Sequence, residues 1–117
     1  MDWQNKVTVV TGGASGIGAA CCRNFAARGA KVVVADLNAE GAKAVAAEFG
    51  GLGVGCDVGK EDEINALVKA AEDHFGPIDV MFNNAGINSG REILNTPLQV
   101  WEDQWNVNVM AHVYAVR

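Results

Sequence analysis

The chain has 117 residues, half of them hydrophobic and a fifth charged, with a formal net charge of −5. That length carries one domain with a modest core, and a composition rich in Ala, Val and Gly is that of a globular protein rather than a disordered one. The acidic balance speaks against nucleic acid and anionic membrane as partners, no apolar run is long enough to span a bilayer, and the N-terminus lacks a secretory-signal pattern, so a cytoplasmic protein is expected.

Strand-like and helix-like segments alternate along the sequence. Lys6 to Val10 is a short β-branched run that ends in a glycine cluster. Gly16 to Arg28 reads as a helix, with Ile17, Cys21 and Phe25 recurring every four residues and Gly29 as its stop. Lys31 to Asp36 is a second apolar strand. A second helix follows, with Ala42, Val45, Ala46 and Phe49 on one face and Gly50-Gly51 closing it. Leu52 to Cys56 is a third strand diluted by glycine. Glu61 to Phe75 is the clearest helix, with Ile64, Leu67, Val68 and Ala71 in register before Gly76-Pro77. Asp79 to Phe82 is a fourth strand, a Gly/Asn-rich loop runs to about Pro97, and Leu98 to Arg117 is a last helix carrying Trp101, Trp105 and Val109 at spacing four.

The strands are continuous apolar runs, the pattern of strands buried on both faces. Their alternation with helices predicts a parallel sheet in a doubly wound α/β fold of the Rossmann type, with about four strands and flanking helices. The chain stops inside a helical pattern, so residues 1–117 are read as the N-terminal, dinucleotide-binding part of one longer domain. Cys21, Cys22 and Cys56 form no CxxC pair and suggest neither a metal site nor a disulfide framework. They are read as reduced, partly buried thiols.

Two features carry chemistry. Thr11-Gly12-Gly13-Ala14-Ser15-Gly16-Ile17-Gly18 lies between the first strand and the first helix, where glycines let backbone approach a diphosphate and the helix start offers unpaired N–H groups and a positive dipole end. Such an anion site needs no basic side chain, and the absence of a following Lys-Ser or Lys-Thr excludes a P-loop. Asp36 ends the second strand eighteen residues after Gly18. An acid about 20 residues on is what a dinucleotide fold uses to hold the adenosine ribose. A carboxylate there repels a 2′-phosphate, and Ala14 and Ser15 offer no basic replacement, so NAD is favoured over NADP. Taken alone, Asp36 also reads as an ordinary exposed strand-end residue.

With Thr11-Gly12-x-x-x-Gly16-Ile17-Gly18, Asp57-Val58 after the third strand, Asn83-Asn84-Ala85-Gly86 after the fourth and Val107-Asn108 in the last helix, the sequence resembles the short-chain dehydrogenase/reductase family, in its main rather than its extended branch. The resemblance implies that Gly12, Gly16, Ile17 and Gly18 cradle the diphosphate and nearby sugar, with the Ser15 hydroxyl added. It implies that Asp57 binds the adenine amino group while Val58 packs on the ring; the residue type alone leaves Asp57 equally open as a helix N-cap. Asn84, Ala85 and Gly86 would line the cofactor's sugars and stiffen the sheet, where a bland Asn-Gly loop is the alternative. Asn108 would be the helix member of the family's Asn-Ser-Tyr-Lys set, holding a water in the proton path, or else a satisfied core amide.

The family's catalytic Ser, Tyr and Lys have no counterpart here. Tyr114 is the single tyrosine and follows Asn108 by only six residues, and Ser89 lies in the wrong segment. His74 and His112 read as surface or packing residues. The intact protein is expected to be an NAD-dependent oxidoreductase that moves a hydride between nicotinamide and an alcohol or ketone. The resemblance implies that it pairs with itself through the last helix, where the stripe of Trp101, Trp105 and Val109 reads equally as core packed on its own sheet. These 117 residues alone are expected to be inactive. A non-catalytic nucleotide-binding or interaction half-domain is the second reading, and a methyltransferase the third; the Asn-Asn-Ala-Gly loop and the Gly16-Ile17-Gly18 spacing speak against the third.

Overall fold

The structure is a computed structural model that describes residues 2–84. The expected loop from Ala85 and the expected last helix, with Asn108, Tyr114 and the tryptophan stripe, lie outside the described residues. Seven elements alternate: β1 (Val7–Thr11), α1 (Gly16–Ala27), β2 (Lys31–Asp36), α2 (Ala39–Ala47), β3 (Leu52–Gly55), α3 (Glu61–Phe75) and β4 (Val80–Phe82). All strand pairs are parallel, in the order β3-β2-β1-β4. The order steps outward from β1 to β3 and then reverses to β4. Beyond the carboxyl ends of β1 and β4 it therefore has a topological switch point, where open α/β sheets bind ligands.

The apolar strand runs split by strict alternation. Val9, Val33 and Ala35 face α3 and pack with Ile64, Leu67 and Ala71. Val10, Val32 and Val34 face the opposite layer and pack with Ala19 and Cys22 of α1 and with Ala42, Val45 and Ala46 of α2. One strand thus feeds two cores. Complete burial of such a side chain stabilises by roughly 1.5–3 kcal/mol, so β1 and β2 are the most heavily committed segments.

On α1 the buried residues are Gly18, Ala19 and Cys22, while Ile17 is exposed. The face expected from Ile17, Cys21 and Phe25 is therefore rotated by about one residue. The physical reason is proximity. An added methyl on Gly13, in the turn before α1, would lie 2.8 Å from a methyl of Val34 and 3.1 Å from the Cys22 sulfur. At that spacing small side chains fill the contact, and the large Ile17 is left outside it. The same closeness holds for α2, where Gly53 of β3 leaves 2.6 Å between a built Cβ and the backbone nitrogen of Lys43.

The start of the sheet is held by polar and aromatic contacts. Val7 N–H donates to the Asp79 carboxylate at 2.9 Å, and Asp79 N–H returns a bond to the Val7 carbonyl at 2.9 Å. Trp3 stacks on Phe25 at 4.5 Å, and Phe25 meets Phe82 edge-on at 5.9 Å. These contacts close the lower end of α1 against β4.

All three cysteines are free; Cys22 and Cys56 are buried and Cys21 is half-buried. Burial, with Cys21 adding to it, pushes the Cys22 thiol from 9.0 up to about 11. Burial, with Glu63 and Asp57 nearby, does the same to Cys56. Such a thiol keeps its proton more firmly folded than unfolded. Its contribution is complete below pH 9 and is lost as pH rises through 11. Urea unfolding at pH 8 and pH 10 is expected to show a loss of about 1 kcal/mol per thiol at the higher pH, and Cys22→Ala is expected to flatten that dependence by one thiol's share.

Candidate functional site

Register decides where the site falls. Thr11 at the end of β1 pairs with Ala35 of β2, so the turn that leaves β1 runs directly beside Asp36. Gly13 N–H donates to the Ala35 carbonyl at 3.1 Å, and Ala14 N–H donates to Asp36 Oδ2 at 3.1 Å. The other carboxylate oxygen, Oδ1, accepts the Asn38 N–H at 2.9 Å. Asn38 in turn caps α2, its side-chain oxygen accepting the Gly41 N–H at 3.0 Å. The glycine turn and the strand-end acid therefore come together at the carboxyl ends of β1 and β2.

Helix α1 starts at Gly16, with Ser15 as N-cap, and its first intrahelical bond runs from Ala19 N–H to the Ser15 carbonyl. The N–H groups of Gly16, Ile17 and Gly18 thus have no acceptor inside the helix. The Ser15 hydroxyl caps none of them, and it is exposed. No acidic side chain stands in the first turn to neutralise the dipole. What results is an anion-attracting helix start with its donors uncapped.

Gly12 and Gly18 serve a different purpose. The Gly12 carbonyl accepts from the Asn84 side-chain amide at 3.3 Å, and Asn84 N–H reaches the Thr11 hydroxyl oxygen at 3.1 Å. A Cβ on Gly18 would strike the Gly12 carbonyl and come within 2.6 Å of that same Asn84 amide. The turn, the first turn of α1 and the distant Asn84 therefore meet at one point, where the two glycines add no bulk. Gly16 is unlike them. Its φ is 58°, in the left-handed region, and a Cβ there would meet nothing within 4 Å.

Asp57 is half-buried after β3, and its carboxylate accepts the Gly59 N–H at 2.9 Å. The N-cap of α3 is Lys60, with no side-chain cap bond, so the N-cap alternative for Asp57 is corrected: Asp57 lies four residues before Glu61, the first residue of the helix, and closes a tight turn with Gly59. Its own N–H donates to Glu63 Oε1 at 2.9 Å, and the Cys56 thiol points at the Glu63 carbonyl at 3.6 Å. The Val58 side chain is buried in the α3 core.

Sequence reasoning overlooked Leu37, Asn38 and Glu63. Leu37 is 68% exposed and Ile17 is 74% exposed, the exposed large hydrophobics among the described residues. Both sit at the upper end of the sheet, one in the first turn of α1 and one just after Asp36. An apolar residue immediately after a strand-end acid was the available signal for Leu37. Ala85, Gly86 and Asn108 lie outside the described residues. Among those described, no group of three His, Cys, Asp or Glu could hold a metal ion, and no helix is long and apolar enough to cross a membrane.

A parallel sheet reversing beside a glycine-bearing turn, with an uncapped helix start and an acid on the neighbouring strand, defines a Rossmann-type protein. Residues 6–117 match the family model described as short chain dehydrogenase. Over 120 residues the chain is 39% identical to an uncharacterized oxidoreductase of Bacillus subtilis, covering 97% of this chain and 17% of that protein. Over 109 residues it is 40% identical to D-threitol dehydrogenase of Mycolicibacterium smegmatis, covering 89% of this chain and 42% of that one. The structure superposes on 3-ketoacyl-(acyl-carrier-protein) reductase from Brucella melitensis, solved with NADH, with a TM-score of 0.94 and 36% identity over 98% of this chain and 49% of that one. A blue fluorescent protein from a metagenomic library, solved with NADPH, gives a TM-score of 0.90 and 32% identity over 99% of this chain and 50% of the other. The chain belongs to the short-chain dehydrogenase family, a family of oxidoreductases. It spans half or less of the length of each of these four proteins. Family membership sets aside the methyltransferase alternative.

Two glycine substitutions separate packing from conformation. Gly18→Ala is expected to lower stability by about 1–3 kcal/mol, because backbone and not only a flexible side chain must yield. Gly16→Ala has open space and is expected to cost about 1–2 kcal/mol through its left-handed backbone alone. Denaturant unfolding measures both. Replacing Asn84 by Ala should relieve the Gly18→Ala cost in part and leave the Gly16→Ala cost unchanged.

Proposed function

We propose that this chain binds NAD across the carboxyl ends of its strands and is the dinucleotide-binding part of an oxidoreductase that moves a hydride between nicotinamide and an alcohol or ketone. The observation that carries the reading is the meeting of the Asp36 carboxylate with the glycine turn at 3.1 Å. The residues present fit such a cofactor. The N–H groups of Gly16, Ile17 and Gly18, with the Ser15 hydroxyl, would hold the diphosphate, while Gly12 lets the turn lie flat on the helix start. Asp36 would take the adenosine ribose hydroxyls. A carboxylate has about four lone-pair sites, so the two amide bonds it already accepts leave room for two hydroxyls. Exposed Leu37 and Ile17 offer apolar surface, and Asp57 would meet the adenine amino group.

NAD rather than NADP follows from charge. Asp36 repels a 2′-phosphate, and residues 12–18 and 37–38 include no Lys or Arg. The NADH carried by the Brucella reductase agrees with this choice, and the NADPH carried by the metagenomic protein marks the family's other option. Bound nicotinamide supplies the hydride chemistry; this chain's residues grip and orient it. By their match to the family motifs, Asn84, Ala85 and Gly86 line the sugars and Asn108 belongs to the proton path. The sequence holds no counterpart of the family's Ser, Tyr and Lys, so residues 1–117 alone should bind cofactor without turning over alcohol or ketone. Pairing through the last helix belongs to the same proposal.

Calorimetric titration tests it. NAD is expected to bind more tightly than NADP, and Asp36→Ala to weaken NAD by about tenfold or more, the worth of hydrogen bonds to a charged group. Equal NAD affinity in the two forms removes the ribose assignment.

A further inference from the structure

Asp36 carries more than the proposed ribose contact. Its two carboxylate oxygens accept one backbone amide each, from Ala14 in the glycine turn and from Asn38 at the start of α2. Together with the Gly13 bond to the Ala35 carbonyl, two consecutive amides of the turn are fastened to the end of β2. Those amides are therefore spent on the protein. The donors left for a diphosphate are the ones just beyond, from Gly16 to Gly18, and their position depends on where residues 13–15 are held. On the far side, Gly12 is held through its carbonyl by Asn84. At Gly16 there is open space where a Cβ would stand. Ala14 also lies against α2, 3.2 Å from where a Cβ on Gly41 would stand, in the turn that Asn38 caps.

We propose that Asp36 is a positioning residue for the diphosphate grip as well as the ribose partner, so that one carboxylate sets both and neither can be altered alone. This deepens the NAD reading above and rests on it. Removing the carboxylate frees the Ala14 and Asn38 amides together. The turn then gains freedom that cofactor binding must remove, whether or not the ribose has hydroxyls to offer.

The test is a ligand–variant cycle on the full chain. NAD and an NAD analogue lacking both adenosine ribose hydroxyls are titrated against the parent, Asp36→Ala and Asp36→Asn. Amide exchange of Ala14 is followed in the same three proteins without ligand. If Asp36 acts only on the ribose, the analogue binds all three equally. The coupling predicts that the analogue binds Asp36→Ala about tenfold more weakly than the parent, with faster exchange at Ala14. Asp36→Asn, which keeps one carbonyl oxygen as acceptor, falls between on both readouts. Equal analogue affinity in parent and Asp36→Ala, with unchanged Ala14 exchange, overturns the coupling and leaves the NAD reading standing. Failure of the parent to bind NAD sinks that reading and the coupling with it. Urea midpoints of the variants confirm that folded protein is being compared, and Asp36→Asn carries the test if Asp36→Ala does not fold.

Discussion

The register of β1 against β2 is the constraint on which the rest depends. Parallel pairing carries Thr11 level with Ala35, and the next residues of each strand leave the sheet side by side. A shift of one residue would turn every side chain of β1 to the other core and separate the turn from Asp36. The register is in turn enforced by burial. Val9 and Val10 are completely enclosed on opposite faces, as are Val33 and Val34 beside them. Hydrophobic packing in the two layers thus fixes the position of a polar contact that contributes little to the core itself.

From that contact the site is built by backbone more than by side chains. The turn between β1 and α1 is fastened on one side to β2 and on the other to Asn84 after β4, so three strands determine its path. The loop after β3 is fixed separately, by Glu63 reaching back from α3 to the Asp57 amide, with Lys60 alongside at 3.8 Å. The Cys56 amide joins the two regions through the Asp36 carbonyl at 2.9 Å. The turn and the loop after β3 are therefore held by hydrogen bonds within the protein itself, and such holding reduces the ordering cost of binding.

Much of this was legible in the sequence. Continuous apolar strands alternating with helices gave the parallel doubly wound sheet, and Lys31–Asp36 and Glu61–Phe75 match their expected bounds. There the periodic signal is long or the flanking breaks are sharp. The meeting of the glycine turn with Asp36 was legible too, because neighbouring parallel strands bring a turn after one and an acid at the end of the next to the same edge of the sheet. Three things were not legible. The buried face of α1 was misread because Gly18, Ala19 and Cys22 are small, and hydrophobic periodicity weighs size where close approach is what selects. The turn made by Asp57 was mistaken for a possible cap because residue type does not reveal whether the helix begins one or four positions later. The double acceptance by Asp36 joins a local bond from Asn38 to one from Ala14 in the turn after β1, and the second is encoded by no single segment.

The glycines of β3 have a bearing on how the molecule meets its own copies. β3 is the outer strand on its side of the described sheet, and α2 lies so near it that Gly53 faces the backbone of Ala42 and Lys43, with Gly55 against Ala39. The strand is four residues long and two of them lack side chains. A foreign strand laid along that border would form few ladder bonds and find little to pack against, so the border is a poor template for intermolecular β-addition. The feature that lets a helix settle closely onto the sheet also blunts the rim against accretion.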